Sequence, residues 1–353
     1  MSASRPAVSV ALPCRNVAPW LPECIESLGS QSLRDFEVVA VNDGSQDETG
    51  SILRKWSARD GRVRVIELRD DEVTPSTDAR LGGGLVRALN TAVRASRAPF
   101  LARMDGDDTA RPQRLERQRE LLSRRSDLAA CGTAVELFPR DAMRGGYERY
   151  ETWLNGLSRP ADLARDLFVE CPIAHPTLMI RRSVMWALGG YRDAGWPEDY
   201  DLVLRLHAAG MRAANLPDRL LRWRVRPDRH SLSAERYSAA SFRRCKVHYL
   251  NHAFLPEGRP LVVWGAGRVG KALARELHSQ GSRVAAFVDL DRRKIGQEIH
   301  GARVLDPAAF ENWLSRDQPF VLAAVGSAGA REAIRESLQG MGRREIEDYR
   351  VCA

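Results

Sequence analysis

Residues 8–110 repeat one pattern: a short apolar run, a polar turn, then apolar residues at helical spacing. Val8-Ser-Val-Ala-Leu12 reads as a buried strand ended by Pro13. Leu21, Cys24, Ile25 and Leu28 then recur at three- and four-residue intervals, which predicts a helix over 19–28. Glu37-Val-Val-Ala-Val41 is a second strand and runs into the turn Asn42-Asp-Gly-Ser45. Residues 62–68 read as a third strand, 85–95 as a helix, and Pro99-Phe-Leu-Ala-Arg-Met104 as a fourth strand leading into Asp105-Gly-Asp-Asp108. Strands alternating with helices predict an α/β fold with a mostly parallel sheet and helices on both faces. Ligands of such sheets bind beyond the carboxyl ends of the strands. Both acidic turns, 42–47 and 105–108, follow strands at that edge.

From 130 to 255 the pattern is less regular, with a strand expected over His175–Ile180, a helix over 183–188 and another over 198–209. A basic helix within 233–254 carries Phe242, Val247, Leu250 and Phe254 at helical spacing. That stripe suits either a domain core or an anionic membrane surface. The turn-rich Leu255-Pro-Glu-Gly-Arg-Pro260 marks a boundary, giving a first domain over 1–257 and a second over 258–353. The pattern restarts with strand Leu261-Val-Val-Trp264, the turn Gly265-Ala-Gly-Arg-Val-Gly270 and a helix over 271–279. Strand Val284–Val288 ends at Asp289, and further strand and helix signals occupy 320–325 and 329–339. A glycine turn between strand and helix is the setting in which this motif binds phosphates, and an acid after the next strand is placed to hold a ribose. Gly265, Gly267, Gly270 and Asp289 therefore outline a second site, for NAD(P) or another nucleotide. A scaffold role without ligand is the alternative. The segment is long enough for a small Rossmann-like α/β domain and too short for a full two-half dinucleotide fold.

The chain has 353 residues, with 44% apolar and 28% charged, the balance of a globular protein of two domains rather than a disordered one. No apolar stretch is long enough to span a bilayer, and residues 1–7 lack the apolar core of a signal peptide. The net charge of +8 invites a nucleic-acid reading. However, the arginines of 111–120 are interleaved with acids, as on a solvated helix face, and no aromatic stacking platform or nucleic-acid motif accompanies them. Nucleic acid is therefore not an expected partner. The six cysteines (Cys14, Cys24, Cys131, Cys171, Cys245, Cys352) form no CxxC pair, which points to thiols in a reducing, cytoplasmic compartment.

Asp105-x-Asp107 offers oxygen-only ligands, which suit Mg²⁺ or Mn²⁺ shared with substrate phosphates. Taken alone, the same residues also describe an acidic surface turn. The surrounding motifs narrow this. Val8-Ser-Val-Ala-Leu-Pro-Cys-Arg-Asn16, Leu21-Pro-Glu-Cys-Ile-Glu-Ser-Leu28 and Glu37-Val-Val-Ala-Val-Asn-Asp-Gly-Ser45 occur in order. Ala88-Leu-Asn90, Phe100–Asp108, His175-Pro-Thr177, Leu188-Gly-Gly-Tyr191, Glu198-Asp-Tyr-Asp-Leu202 and the segment 224–233 follow. Together they resemble family 2 glycosyltransferases, enzymes of the GT-A fold, over roughly 7–240.

The resemblance implies a nucleoside-diphosphate sugar donor, a divalent cation and transfer with inversion to a hydroxyl of a glycan or lipid-linked acceptor. Surface polysaccharide or envelope glycan synthesis would be the setting, with attachment to the inner face of the plasma membrane as a variant. Pro13, Arg15 and Asn16 match the first nucleotide-contacting loop, Asp43 the acid that binds the base, with Ser45 beside it. Where the family often has a first acid, this chain has Asn42. Asp105 matches a donor and metal contact, Asp107 a metal ligand and His230 a further metal ligand. Asp199 matches the catalytic base, a position where a carboxylate can take the acceptor proton, and Glu198 an acceptor-binding residue. Acids in a first helical turn are also favoured by the helix dipole alone. The other enzyme reading is an NAD(P)-dependent sugar-nucleotide oxidoreductase or epimerase centred on 265–289.

Overall fold

The computed structural model describes residues 5–68, 84–143, 145–226, 235–327 and 329–353. Contacts divide the chain into two units: Met1–Leu163 with Pro172–Ala234, and Ala164–Cys171 with Glu235–Ala353. This grouping assigns a short central segment, and the helix preceding the turn at 255–260, to the second unit.

In the first unit, β1 (Val8–Cys14), β2 (Phe36–Asp43), β3 (Val63–Leu68), β4 (Phe100–Arg103), β5 (Thr109–Ala110), β6 (Leu128–Phe138), β7 (Met179–Arg181) and β8 (Arg212–Arg224) form one sheet. Their order is β3-β2-β1-β4-β7-β6-β8-β5. The first four are parallel neighbours, β7 runs antiparallel between β4 and β6, β6 and β8 are parallel, and β5 closes the edge antiparallel. β1 and β2 are buried along their whole length, because helices cover both faces. The pleat sorts their residues. Val10, Leu12, Val38 and Ala40 pack with α1 (Leu21–Gly29) and α2 (Thr49–Arg59), while Ala11, Val39 and Val41 pack with Ala88 and Ala92 of α3 (Gly84–Ala95).

Two local expectations change. The segment expected as one strand over 175–180 is a 3₁₀ turn, His175–Thr177, followed by the three-residue β7. Pro176 lacks the N–H that a ladder needs, and Thr177 closes the turn by donating both its N–H and its hydroxyl to Ala174 O, at 2.8 and 2.7 Å. The helix α4 (Arg114–Arg124) is not solvated on all its polar positions, since Arg114 and Gln118 are completely buried.

In the second unit, β9 (Leu261–Trp264), β10 (Val284–Val288), β11 (Glu298–Ile299), β12 (Ala302–Leu305), β13 (Phe320–Ala323) and β14 (Tyr349–Val351) form a sheet in the order β11-β12-β10-β9-β13-β14. All neighbours are parallel except β11 and β12. The glycine turn follows β9 and leads into the helix Arg268–Ser279. The basic helix spans Ala239–Tyr249 with a π turn at Leu250–Phe254. Val247 and Leu250 are fully buried, and Phe254 sits edge-on to Phe168 at 5.1 Å, so these residues of the stripe serve the core of this unit. No helix among the described residues is long and apolar enough to cross a membrane.

Candidate active site

β1 lies between β2 and β4, with Cys14 opposite Asn42 and Ala11 opposite Arg103, so the turns after β2 and β4 leave the same edge of three parallel strands. One sensor of their proximity is the Cys14 thiol at the end of β1. Burial pushes it far up, and the charges of Asp105, Asp107 and Asp47 add to that, so both acidic turns act on one atom.

The first turn is tightly bonded. Asp43, almost fully buried at the end of β2, accepts from Arg87 Nη2 on α3 at 3.0 Å and from Arg15 Nη1 at 3.5 Å. Asn16 takes a left-handed backbone (φ 51°), which asparagine tolerates, and its Oδ1 accepts from Gln46 N at 2.9 Å. Its own N–H donates to Ser45 Oγ at 3.1 Å. Pro13 pairs in register with Val41. Asn42 donates Nδ2 to Glu67 Oε2 at 2.5 Å and accepts from Ser45 N at 3.3 Å, so the amide in place of an acid shapes the turn.

In the second turn the carboxylates of Asp105, Asp107 and Asp108 offer oxygens that all lie within 4.8 Å of one another. Three oxygen donors at that spacing fit a hard divalent cation such as Mg²⁺ or Mn²⁺. The chain compensates their charge internally. Asp105 pairs with Arg103, a buried guanidinium. Burial alone would favour loss of the Arg103 proton, but the adjacent Asp105 more than offsets this and raises its pKa. Asp107 Oδ2 accepts from Arg226 Nε at 2.8 Å, and Asp108 Oδ1 accepts from Arg224 N at 2.7 Å. Beneath the turn, Arg114 Nη2 donates to Arg103 O at 2.6 Å; burial, then repulsion from Arg103, pushes its pKa down to about 10.

Glu198 and Asp199 begin the helix α8 (Glu198–Ala208), directly after Pro197. Glu198 is buried, with Oε1 3.9 Å from His175 Nδ1, while Asp199 is partly exposed and its Oδ1 accepts from Tyr200 N at 2.7 Å. His175 Nε2 meets the Tyr191 hydroxyl at 3.0 Å. Burial raises the Tyr191 pKa strongly; Arg103 opposes that and Glu198 and Asp199 reinforce it, so charges from both motifs reach this hydroxyl. The loop carrying Tyr191 is fixed by side chains far away in sequence. Asn90 Nδ2 donates to Tyr191 O at 3.0 Å and Asn90 Oδ1 accepts from Tyr191 N at 2.9 Å. Arg205, paired with Asp201 at 2.7 Å, donates to Leu188 O and Gly190 O. Gly190 has φ 72°, and a Cβ there would stand 2.7 Å from Asn90 Oδ1, so glycine is required on both counts.

The structure thus gathers Pro13, Arg15, Asn16, Asp43, Ser45, Asp105 and Asp107 at one sheet edge. Glu198 and Asp199 share with Arg103 the surroundings of Tyr191. His230 lies outside the described residues. Arg87, Arg103 and Arg114 do not stand out in the sequence as site residues, because arginine is so abundant here that no single one is marked.

In the second unit, a Cβ on Gly270 would fall 1.7 Å from Gly265 O, so the helix and turn approach as closely as the motif demands. Asp289 Oδ2, however, accepts from Ala266 N at 2.8 Å and Lys294 Nζ at 3.0 Å, and Oδ1 accepts from Asp291 N at 2.9 Å. The acid is engaged with its own loop and with the glycine turn.

An α/β sheet with an acidic triad at the carboxyl edge of parallel strands can hold a divalent cation beside a bound ligand, and similarity gives the class. A family model described as "Glycosyl transferase family 2" matches residues 9–189, just over half of the chain, and the chain belongs to that family. It is a glycosyltransferase. EpsE of Bacillus subtilis (strain 168), which bears a glycosyltransferase name, is 32% identical over 64% of this chain and 74% of its own length. The O-antigen biosynthesis glycosyltransferase WbnJ of Escherichia coli is 30% identical over 69% of this chain and 87% of its own. The crystal structure of S. aureus TarS 1-349 in complex with UDP-GlcNAc superposes with a TM-score of 0.54 at 19% identity, covering 78% of this chain and 73% of that one. At that identity the likeness speaks for a shared fold. None of these findings supports the oxidoreductase or epimerase reading, or NAD(P).

Proposed function

We propose that the chain transfers a sugar from a nucleoside-diphosphate sugar to a hydroxyl of a glycan or lipid-linked acceptor, with inversion at the anomeric carbon. The observation that carries this is the triad Asp105, Asp107 and Asp108, within 4.8 Å, at the strand edge that also bears Asp43. Asp43, with Arg15, Asn16, Ser45 and Pro13 around it, binds the nucleotide. Asp105 and Asp107 would hold a divalent cation, which neutralises the diphosphate as it leaves. Asp199, partly exposed at the start of α8, takes the proton of the acceptor hydroxyl as its oxygen bonds to the anomeric carbon and the bond to the diphosphate oxygen breaks. Glu198, buried beside His175, orients the acceptor. The polysaccharide setting named for WbnJ supports a role in surface glycan synthesis. Six buried, unbridged thiols support a cytoplasmic location.

We further propose that residues 258–353 form a Rossmann-like domain with a scaffold role, supported by the engagement of Asp289 with Ala266 of the glycine turn and with Lys294 of its own loop. The test of the enzymatic reading is release of nucleoside diphosphate from a panel of sugar donors, beginning with UDP-GlcNAc, with Mn²⁺ or with chelator. Asp107→Ala and Asp199→Asn should each lower transfer by about 10²- to 10⁴-fold with unchanged circular dichroism. Near-normal turnover in either variant removes its assigned role.

A further inference from the structure

Arg226 lies two residues beyond β8, yet its side chain is turned into the acidic triad and is only 17% exposed. Its Nε donates to Asp107 Oδ2 at 2.8 Å, and its guanidinium carbon stands 4.0 Å from the centre of the Trp20 ring, directly before α1. The approach is fixed by Arg224, the last residue of β8. Arg224 donates its backbone N–H to Asp108 Oδ1 at 2.7 Å, Nε to Asp107 O at 2.8 Å and Nη2 to Glu23 Oε2 at 2.6 Å. Asp107 itself is 8% exposed as a side chain. A carboxylate so little hydrated needs a counter-charge, and here the chain supplies one. A guanidinium and a divalent cation compete for the same carboxylate, and their like charges disfavour close joint occupancy at this low hydration.

We propose that Arg226 is the chain's own cation for Asp107, a placeholder that a divalent ion must displace and whose released guanidinium is taken up by the diphosphate arriving with that ion. The inference rests on the reading of Asp105 and Asp107 as metal ligands. Its consequence is coupling: the ion binds weakly alone and more tightly when a diphosphate offers Arg226 a new, bidentate partner.

The experiment is an Mn²⁺ titration of the full chain by electron paramagnetic resonance, alone and with UDP or GDP, for wild type, R226Q, R226K and D107N. R226Q should bind Mn²⁺ alone about tenfold more tightly than wild type, the order of effect expected for a mostly buried charge pair, and nucleotide should add less to its affinity. R226K, which keeps the charge but loses the planar group stacked on Trp20, should bind Mn²⁺ more weakly than R226Q. R226Q binding Mn²⁺ no better than wild type overturns the proposal, as does R226K binding as tightly as R226Q. If D107N loses Mn²⁺ while R226Q is unchanged, only the placeholder role fails. If D107N binds Mn²⁺ like wild type, the metal reading of the site fails, and this role with it.

Discussion

Arg114 shows how one side chain ties helix α4 to the strand that delivers the acidic turn. Among the described residues it is the largest that is fully buried, and it donates to Arg103 O, the Met104 sulfur and Gln118 Oε1. A guanidinium in that position is retained because Asp108 and the strand carbonyl offset part of its desolvation. Replacing it removes the donor and strands the carbonyl of Arg103, a buried acceptor. Arg114→Leu should therefore cost about 2–3 kcal/mol in urea unfolding and weaken Mn²⁺ binding as well, since Arg103 also carries the partner of Asp105. In the sequence, Arg114 is one of several arginines among acids; only its fully buried position separates it from its solvated neighbours.

Among the elements, α8 and the loop before it form the part of the site most dependent on long-range support. The Leu188–Tyr191 loop is held by Asn90 from α3 and by Arg205 from α8 itself, and it delivers the Tyr191 hydroxyl to His175, which borders Glu198. Asn90→Ala removes both bonds to the Tyr191 backbone. Transfer should fall by roughly 10- to 100-fold, because small displacements of reacting groups are costly, while Mn²⁺ and nucleotide affinity measured calorimetrically stay near wild type. A parallel loss of nucleotide binding would show that the loop serves the donor rather than the acceptor side. The motifs Ala88–Asn90, His175–Thr177 and Leu188–Tyr191 were all visible as short patterns. Their joint purpose was not, since each is bonded to another across tens of residues.

For the whole molecule, acid sensitivity follows from buried and hydrogen-bonded carboxylates in both units. Burial raises the pKa of Glu37, but bonds from Ser9 and Arg97 more than reverse this and hold it below the usual range. Asp289 is held low in the same way, burial being outweighed by bonds from Asp291 N, Lys294 and Ala266 N. A carboxylate with a depressed folded pKa contributes stability that is fully present above its unfolded pKa and is lost as pH falls through the folded value. Stability in urea should thus be flat through neutral pH and drop below about pH 4. Glu37→Gln should flatten that drop; an unchanged slope would count against the bonding described for Glu37.

What the sequence determined by itself is what depends on neighbours along the chain. Periodicity set β1 to β4 with α1 and α3, though not α2, and strand ends followed by Asp43 and by Asp105-Gly-Asp-Asp108 set where the acidic turns emerge. The long strands β6 and β8 are not marked in the sequence, because β8 carries Pro217 and several charges, and the apolar run of β6 is broken by Gly132, Thr133 and Glu136. The tertiary structure alone decided which remote cations meet the acids: Arg87 at Asp43 and Arg226 at Asp107. Charge pairing acts through space across remote segments, and a chain with 54 basic residues offers too many equivalent partners for spacing to choose among them.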